Sequence, residues 1–380
     1  MAFEQGKWLT NLRTEFDWVR DLPAQCGQQE LRHLDQAYKN WWNKDLPAGA
    51  PIFHKRGTRL SVSFPGQACE LRKLSKRWSE VKLPKLGWVK IRTSRPIRGT
   101  LRNVTMIKDA LGWQCSLGLF QDVKPAEKNN KPGCGVDFGI ACSAFVSDEV
   151  NPRLKPASLT PGEQRRLLGL ERRFSRQKTF AKRHNSGKYS NRARRTKQEI
   201  AKLQARAARR RLDFTHKLTT DLAKNHGYVG IEDLRMKNMT KSAKGTTEQP
   251  GTNVAQKSGL NKALLDNAAG QRRRQLDYKC PRFGSELRVV PAPFTSQQCS
   301  ECGVIDPENR NGCGREFSCT NCGHEEHADL NAAKNIDVKA HAAGPAVNST
   351  GRHKPSHSKT RVGGSVNSTS SPCLEVADVA

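Results

Sequence analysis

The spacing of hydrophobic residues separates a helical N-terminal segment from a β-rich one. Within residues 1–48, hydrophobic side chains recur at helical spacing at Leu31, Leu34, Tyr38, Trp41 and Trp42. This stripe predicts an amphipathic helix whose apolar side is an ordinary core face. Residues 49–125 contain short β-rich runs, RLSVSFPG, GWVKIRTS and TMIKDALGWQCSLGLF, which Pro and Gly interrupt. Such runs predict a small β-barrel or a twisted sheet, and the polar run QDVKPAEKNNKPG that follows predicts a domain boundary.

Strands and helices alternate between residues 126 and 340. The runs CGVDFGI, ACSAFVSD, YVGIEDL and LRVVPAPF predict strands. Thr160 and Glu163 form a capping box with Pro161 at the first helical position, so a helix begins there, and further helices are predicted before residue 225 and over residues 261–278. Residues 341–380 are rich in Gly, Ser, Asn, His and Lys and predict a disordered tail. The fold class expected from this order is α/β multidomain.

Composition adds a strong positive charge to this picture. The 380 residues include 66 Lys and Arg against 36 Asp and Glu, a formal net charge of +30. Such an excess predicts a polyanionic partner, with nucleic acid ahead of a membrane surface. No run of about 18 apolar residues is present, and the N-terminus lacks the pattern of a signal peptide. We therefore expect a cytoplasmic protein, associated with the nucleoid of a prokaryote, that does not span a membrane and whose cysteines are free thiols or metal ligands.

The positive charge is densest in the predicted helical hairpin over residues 160–225. Between residues 165 and 217 there are nineteen Lys or Arg and only three acids. A solvated helix face would mix the two signs, so we interpret the hairpin as a track for a nucleic-acid backbone, with a merely solvated hairpin as the alternative. The candidate backbone contacts are Arg165, Arg192, Arg194, Arg195, Arg209 and Arg210, together with Arg272 and Arg273 of a later helix.

Two CxxC pairs carry the most specific chemical signal. The candidate ligands are Cys299, Cys302, Cys319 and Cys322. Two such pairs can offer four thiolates to one tetrahedral Zn²⁺, and Gly303 and Gly323 permit the tight turn after each pair. Cys313 and His324 lie nearby but fit the spacing less well. We therefore predict a structural zinc ribbon over residues 295–326.

Three isolated acids form a second candidate site. Asp137 lies within the run GVDFGI, a predicted strand otherwise apolar on both sides, and Glu232 ends the apolar strand YVGIE. Asp329 opens a predicted helix in the run DLNAAKNI. Each acid alone could be an ordinary strand-end residue or a helix cap. Together they are the set that could hold two Mg²⁺ ions over a scissile phosphate, one activating the attacking water and the other neutralising the departing oxygen.

The chain resembles the TnpB (OrfB) family of insertion sequences, which is related to the type V CRISPR effectors. The resemblance rests on six motifs in this order: GVDFGI, YVGIEDL, SGLNKALLD, FTSQQCSECG, FSCTNCG and HADLNAAKNI. The resemblance covers roughly residues 20–338. It implies an RNase H-like (RuvC) nuclease domain over residues 126–340 with a zinc-ribbon insertion, a wedge domain over residues 49–125, and a helical recognition segment over residues 1–48 that is short at its N-terminus. Asp137, Glu232 and Asp329 match the three RuvC acids. His327 stands where the family often carries an acid.

The resemblance also implies a function. It predicts an Mg²⁺-dependent, RNA-guided DNA endonuclease, with a guide RNA from the transposon end and double-stranded target DNA next to a short transposon-associated motif. A transposase acting in strand transfer is one alternative, but none of the four tyrosines lies in a His-rich motif. A nuclease-independent, RNA-guided DNA-binding regulator is the other, and the retention of all three acids favours cleavage over it. The sequence indicates no particular protein partner.

Overall fold

The computed structural model describes residues 2–46, 48–53, 60–122, 126–139, 143–154, 157–310, 315–344 and 375–379. Contacts divide the chain into two compact units. The first comprises Met1–Val123, Leu170–Ala205 and Ser356–Ala380, and the second comprises Lys124–Gly169 and Arg206–Pro355. No helix in the part of the chain described is long and apolar enough to cross a membrane.

The first unit begins with three helices, α1 (Ala2–Glu15), α2 (Asp17–Arg20) and α3 (Ala24–Trp42). Helix α3 carries the predicted hydrophobic stripe, but the prediction that this stripe is an ordinary core face is wrong at its C-terminal end. Trp41 and Trp42 are 43% and 54% exposed. Their rings pack against each other and against Tyr38, with centroids 5.5–6.4 Å apart, so the aromatic side chains cover one another on the helix surface.

An antiparallel sheet forms the rest of the first unit. Its strands are β1 (Leu60–Pro65), β2 (Glu70–Lys73), β3 (Trp78–Leu83), β4 (Gly87–Arg92), β5 (Thr100–Asp109), β6 (Gly112–Phe120) and β13 (Glu375–Val379), in the spatial order β1-β5-β6-β13-β4-β3-β2. Alternate residues of these strands point inward and form a core around Phe64, Val81 and Ile91. The β-rich prediction for this part of the chain therefore corresponds to a sheet. The prediction of a disordered tail is wrong at residues 341–343, which are helical, and at β13, which pairs with β6 and β4. The rest of that tail, apart from residue 344, lies outside the residues described.

The second unit is built on a mixed sheet. Its strands are β7 (Cys134–Asp137), β8 (Phe145–Val146), β9 (Tyr228–Glu232) and β10 (Glu286–Val290), in the order β10-β9-β7-β8, with β9 parallel to both neighbours and β8 antiparallel to β7. These short apolar strands bury Val136, Val229 and Ile231 in a common core, as parallel strands covered on their faces require.

Helix α9 (Ala328–Ala343) packs directly on this sheet. A Cβ atom at Gly135 would lie 2.1 Å from the carbonyl oxygen of Ala333, so only glycine allows this close approach. The Asp337 carboxylate accepts hydrogen bonds from Tyr228 Oη at 2.8 Å and from Ser147 Oγ at 2.9 Å. Helix α9 is thus fixed to the strands by both packing and hydrogen bonds.

The remaining elements are α4 (Pro161–His184), α5 (Asn191–Asn225), α6 (Met236–Met239), α7 (Val254–Asn267), α8 (Ala269–Arg282), and the hairpin of β11 (Glu316–Ser318) and β12 (Glu325–His327). The predicted capping box is confirmed. The Thr160 amide donates to Glu163 Oε2 at 3.0 Å, and the Glu163 amide donates to Thr160 Oγ1 at 3.2 Å. The single helix predicted over residues 261–278 is instead two helices, because Ala268 adopts a left-handed backbone with φ of 56°.

Candidate active site and metal centre

The fold brings the three candidate acids together at one edge of the second unit's sheet. Strands β7 and β9 run parallel with Val136 opposite Ile231, so Asp137 and Glu232 follow at the same edge. Asp329 lies in the first turn of α9, which packs on these strands. Both Glu232 and Asp329 act electrostatically on the Asp137 carboxyl group and raise its pKa. The three acids therefore form one electrostatically linked group at this edge, called the acid cluster below.

This cluster is costly to ionise. Burial raises the pKa of Asp137 to about 7, and the negative charges of Glu232 and Asp329 add to this effect. Burial also raises the pKa of Glu232, although a hydrogen bond from Thr295 Oγ1 to Glu232 Oε1 at 2.5 Å opposes the rise. Carboxylates held close together in a place that disfavours their charge are typical of a site that a cation completes.

The N-terminus of α9 fixes the third acid. His327 is the N-cap residue, and its Nδ1 accepts a hydrogen bond from the Asp329 amide at 3.2 Å. Its ring stacks on Phe145 of β8 with centroids 4.4 Å apart. The histidine found where the related family often carries an acid thus caps the helix and sets the backbone position of Asp329.

Arg310 is a residue of this site that sequence reasoning missed. Its Nη2 lies 3.9 Å from Asp329 Oδ1, and its positive charge lowers the pKa of Asp137, against the larger effects that raise it. Arg310 lies between the two CxxC pairs, far from the acids along the chain, and no local pattern marks it. Only the tertiary fold brings it to the carboxylates.

The four predicted cysteines also converge. Their Sγ atoms all lie within 4.8 Å of one another, with Cys299 and Cys322 at 3.7 Å and Cys302 and Cys319 at 3.5 Å. Gly303 and Gly323 both have positive φ, and their amides donate to the carbonyls of Cys299 and Cys319 at 3.0 Å. The backbone amide of Val304 is the main cause that lowers the pKa of Cys302, to about 6. The tight turns and the convergence of four sulfur atoms make this cluster fit a zinc ribbon. Cys313 lies outside the residues described, and His324 is not part of the cluster.

Two buried asparagines join the first cysteine turn to α9. Asn331 donates to the carbonyl of Gln298 at 2.8 Å and accepts from the Ser300 amide at 2.9 Å. Asn335 donates to the same Gln298 carbonyl at 2.6 Å and to the Thr295 carbonyl at 3.0 Å. The segment that precedes and contains the first cysteine pair is therefore held by the helix that carries Asp329.

The candidate backbone-contact arginines are not equivalent. Five of them are exposed, namely Arg165, Arg192, Arg194, Arg195 and Arg210, while Arg209 and Arg273 are partly buried. Arg210 forms an ion pair with Glu163 at 2.6 Å, and Arg273 forms one with Asp233. Exposed ion pairs of this kind are weak and can be exchanged for phosphate.

The prediction that Arg272 contacts a nucleic-acid backbone is wrong. Its side chain is 1% exposed, and its guanidinium donates to Ser143 O at 2.8 Å and to Ser143 Oγ at 2.7 Å. The guanidinium also lies over the Phe138 ring at 4.8 Å, and burial lowers its pKa to about 10. Arg272 therefore fixes the segment around Ser143 from within the core and cannot reach a phosphate.

Two family models match this chain. One, described as "Cas12f1-like, TNB domain", matches residues 270–336. The other, described as "Probable transposase", matches residues 117–243. The first range contains the four cysteines and Asp329, and the second contains Asp137 and Glu232. The matched segments thus include all three acids.

Two bacterial proteins are similar over most of the chain. "Putative RNA-guided DNA endonuclease InsQ" of Escherichia coli K12 is 37% identical over 341 residues, which cover 89% of this chain and 80% of that protein. "Putative RNA-guided DNA endonuclease" of Streptomyces pristinaespiralis is 30% identical over 358 residues, which cover 92% of this chain and 79% of that protein. Among solved structures, a chain of "Cryo-EM structure of the Cas12f1-sgRNA-target DNA complex" aligns with 83% of this chain and 70% of its own length, at 14% identity and a TM-score of 0.40. The two sequence relatives, and not the structural likeness, identify the family.

Proposed function

Because the chain belongs to the TnpB (OrfB) family, whose relatives reported above are named RNA-guided DNA endonucleases, we propose that it cleaves DNA at positions chosen by a bound guide RNA. The observation that carries the proposal is the cluster of Asp137, Glu232 and Asp329 at one sheet edge. Although Arg310 and Lys339 act on these acids, burial and the charges of Glu232 and Asp329 still raise the pKa of Asp137, as expected of a site that a cation completes.

The donor set fits magnesium. Carboxylate oxygens are the ligands that Mg²⁺ prefers, and a divalent cation would offset both the burial of Asp137 and the repulsion from Glu232 and Asp329 that raise its pKa. Asp137, Glu232 and Asp329 would together hold two such ions. When bound, Mg²⁺ ions at such a site favour ionisation of an attacking water and stabilise negative charge on the departing 3′ oxygen.

The neighbouring residues would keep the carboxylates in place. Thr295 orients Glu232 through its hydroxyl group, and His327 fixes the backbone at Asp329. Arg310 adds a positive charge 3.9 Å from Asp329, which a phosphate group in the same site could share. Such prior positioning of charged groups is what accelerates phosphodiester hydrolysis most.

The cysteine cluster would hold a single structural Zn²⁺. All four positions would be filled by Cys299, Cys302, Cys319 and Cys322, so no open position would remain for substrate. The role of this zinc would be to stabilise the ribbon, which the two asparagines of α9 connect to the helix bearing Asp329.

The nucleic-acid partners would be a guide RNA transcribed from the transposon end and double-stranded DNA beside a short transposon-associated motif. The net charge of +30 supports a polyanionic partner, and the exposed arginines of α4 and α5 can each meet a phosphate. Base pairing would choose the target, while the protein would supply backbone contacts and catalysis.

The test is to express the protein with RNA from its transposon end, sequence the RNA that co-purifies, and assay guided DNA for cleavage. We expect Asp137→Ala, Glu232→Ala and Asp329→Ala each to abolish Mg²⁺-dependent cleavage and to retain guided DNA binding, because phosphate contacts and base pairing supply most of the affinity. Asp213→Ala, at an acid whose side chain is 63% exposed, is the matched control and should cleave normally.

The outcomes separate the alternatives. Wild-type cleavage by any of the three variants would contradict the assignment of the acids. Joined strands instead of cut products would indicate a transposase. Guided binding by the wild-type protein without cleavage at any Mg²⁺ concentration would indicate a regulator.

A further inference from the structure

Phe294 has a backbone conformation that its side chain disfavours. Its φ is 67°, in the left-handed region where residues other than glycine and asparagine are uncommon and bulky ones are strained. The side chain is 56% exposed and belongs to none of the hydrophobic clusters formed by the residues described. The conformation therefore places a large apolar ring in solvent and gains no core packing in return.

The residues around Phe294 hold this conformation firmly. The carbonyl of Pro293 accepts from Lys339 Nζ at 3.1 Å, and the carbonyl of Phe294 accepts from the Gln298 amide at 2.9 Å. Thr295 is 3% exposed, and its carbonyl accepts from Asn335 at 3.0 Å. Both flanks of Phe294 are thus tied to α9, so the strain is imposed by the surrounding fold.

The position of Phe294 beside the acids indicates what the ring is for. The next residue, Thr295, donates to the carboxylate of Glu232 at 2.5 Å, so the exposed ring stands one residue from the cluster. A nucleic-acid strand bound at Glu232 would therefore have an exposed aromatic residue next to Thr295, the hydrogen-bond partner of that carboxylate.

We propose that Phe294 is a substrate-positioning residue that stacks on an unpaired base of the DNA strand being cut. The inference rests on the proposed function and goes further, because it specifies an unstacked, single-stranded substrate at the site. Aromatic rings stack on every base without reading its identity, which suits an enzyme whose sequence choice is made elsewhere. A base inside a duplex has both faces covered and could not make this contact.

The test uses substitutions that separate the ring from the backbone conformation. Phe294→Gly and Phe294→Asn remove the ring and accept a positive φ, so they should fold at least as well as the wild-type protein. Phe294→Tyr and Phe294→Trp keep an aromatic ring. With Mg²⁺ and guide RNA, we expect single-turnover cleavage at subsaturating DNA to fall about 10- to 100-fold in the first pair and less than about 3-fold in the second.

A fluorescent base gives a readout that a purely structural role would not move. In the cleavage-deficient Asp137→Ala background, 2-aminopurine placed at successive positions around the cut should be quenched at one position with Phe294 and brighter there with Phe294→Gly. Ala268→Gly relieves a similar positive φ of 56° elsewhere and should leave both signals unchanged.

Two different outcomes would contradict the proposed function and the stacking role of Phe294 separately. If the wild-type protein does not cut guided DNA, the proposed function fails. If the wild-type protein cuts and Phe294→Gly cuts equally fast without a change in fluorescence, the stacking role is overturned while the proposed function stands.

Discussion

The pKa of Asp137 leads to a prediction in which loss of activity accompanies a gain of stability. Asp137→Asn keeps the size of the side chain and removes its charge. The carboxyl group is mostly buried, and the charges of Glu232 and Asp329 raise its pKa further, so the substitution removes both a desolvated charge and its repulsion. We expect the metal-free variant to be more stable than the wild-type protein at pH 8 and inactive as a nuclease.

The size and sign of the effect come from proton linkage. Folding raises the pKa of Asp137 from 3.8 to about 7, so between these pH values the folded protein binds more protons than the unfolded chain. The free energy of unfolding of the wild-type protein therefore falls as the pH rises through this window and levels off above about pH 8. A shift of about three units at about 1.4 kcal/mol each gives a loss of at most about 4 kcal/mol, which Asn does not suffer.

Calorimetry of both proteins between pH 5 and pH 8.5 measures this difference. The buffer should lack magnesium and chelators, so that bound zinc remains in place. For a unit of about 200 residues, 1 kcal/mol corresponds to about 2–4 °C in Tm, so the Asn variant should melt up to about 8–16 °C higher at pH 8 and much less so at pH 5. Adding Mg²⁺ should raise the Tm of the wild-type protein and narrow the gap.

Asp213→Asn provides the control. Asp213 is 63% exposed and pairs with Lys217, so its neutralisation should change stability by less than about 1 kcal/mol. A Tm difference between Asp137→Asn and the wild-type protein that is zero, or that shrinks as the pH rises, would refute the account of the acid cluster given above.

Two further predictions concern the ribbon and the basic hairpin. Cys319→Ser should lose the single zinc per chain, lower the Tm of the second unit and abolish cleavage, which metal analysis, calorimetry and a cleavage assay would measure. The control variant Cys69→Ser should retain zinc. A zinc-free variant that cuts normally would contradict the coupling of the ribbon to Asp329. Charge reversal at Arg192, Arg194 and Arg195 should weaken binding to all DNA sequences alike and flatten the salt dependence of binding. In the wild-type protein, the slope of log K against log salt concentration is near −9 if about ten duplex phosphates are neutralised. An effect on one target sequence alone would argue against backbone contact.

The residues that could be predicted from the sequence are those whose type already carries the chemistry. Two CxxC pairs in a chain of this kind indicate one tetrahedral zinc site. Acids in otherwise apolar strands are tolerated at a sheet edge, and parallel strands bring such edges together. Arg310 could not be predicted, because its position beside Asp329 depends on how the ribbon folds back over α9. The same is true of Asn331, which is an ordinary helical residue until its contacts are known.

Arg272 shows where reasoning from charge alone goes wrong. The triple Arg272-Arg273-Arg274 suggests a basic surface, yet a helix turns successive residues to different sides. Leu276 and Cys280 follow Arg272 at intervals of four residues, and all three lie on the buried face of α8. When the four-residue spacing of Leu276 and Cys280 is extended back along α8, it places Arg272 on the buried face and Arg273 outside that face.

The connection between the ribbon and α9 gives the ribbon a structural role beside the acids. Burial of Asp137, together with the negative charges of Glu232 and Asp329, destabilises the metal-free fold by up to about 4 kcal/mol at pH 8. Structural zinc contributes about 10–16 kcal/mol to the folding of small zinc modules, well above that cost. Asn331 and Asn335 connect the ribbon to α9 through the Gln298 carbonyl, so the stability of the ribbon opposes the displacement of Asp329. Under the proposed function, a zinc-loaded ribbon attached at this point would therefore hold Asp329 beside Asp137 and Glu232 in the absence of magnesium.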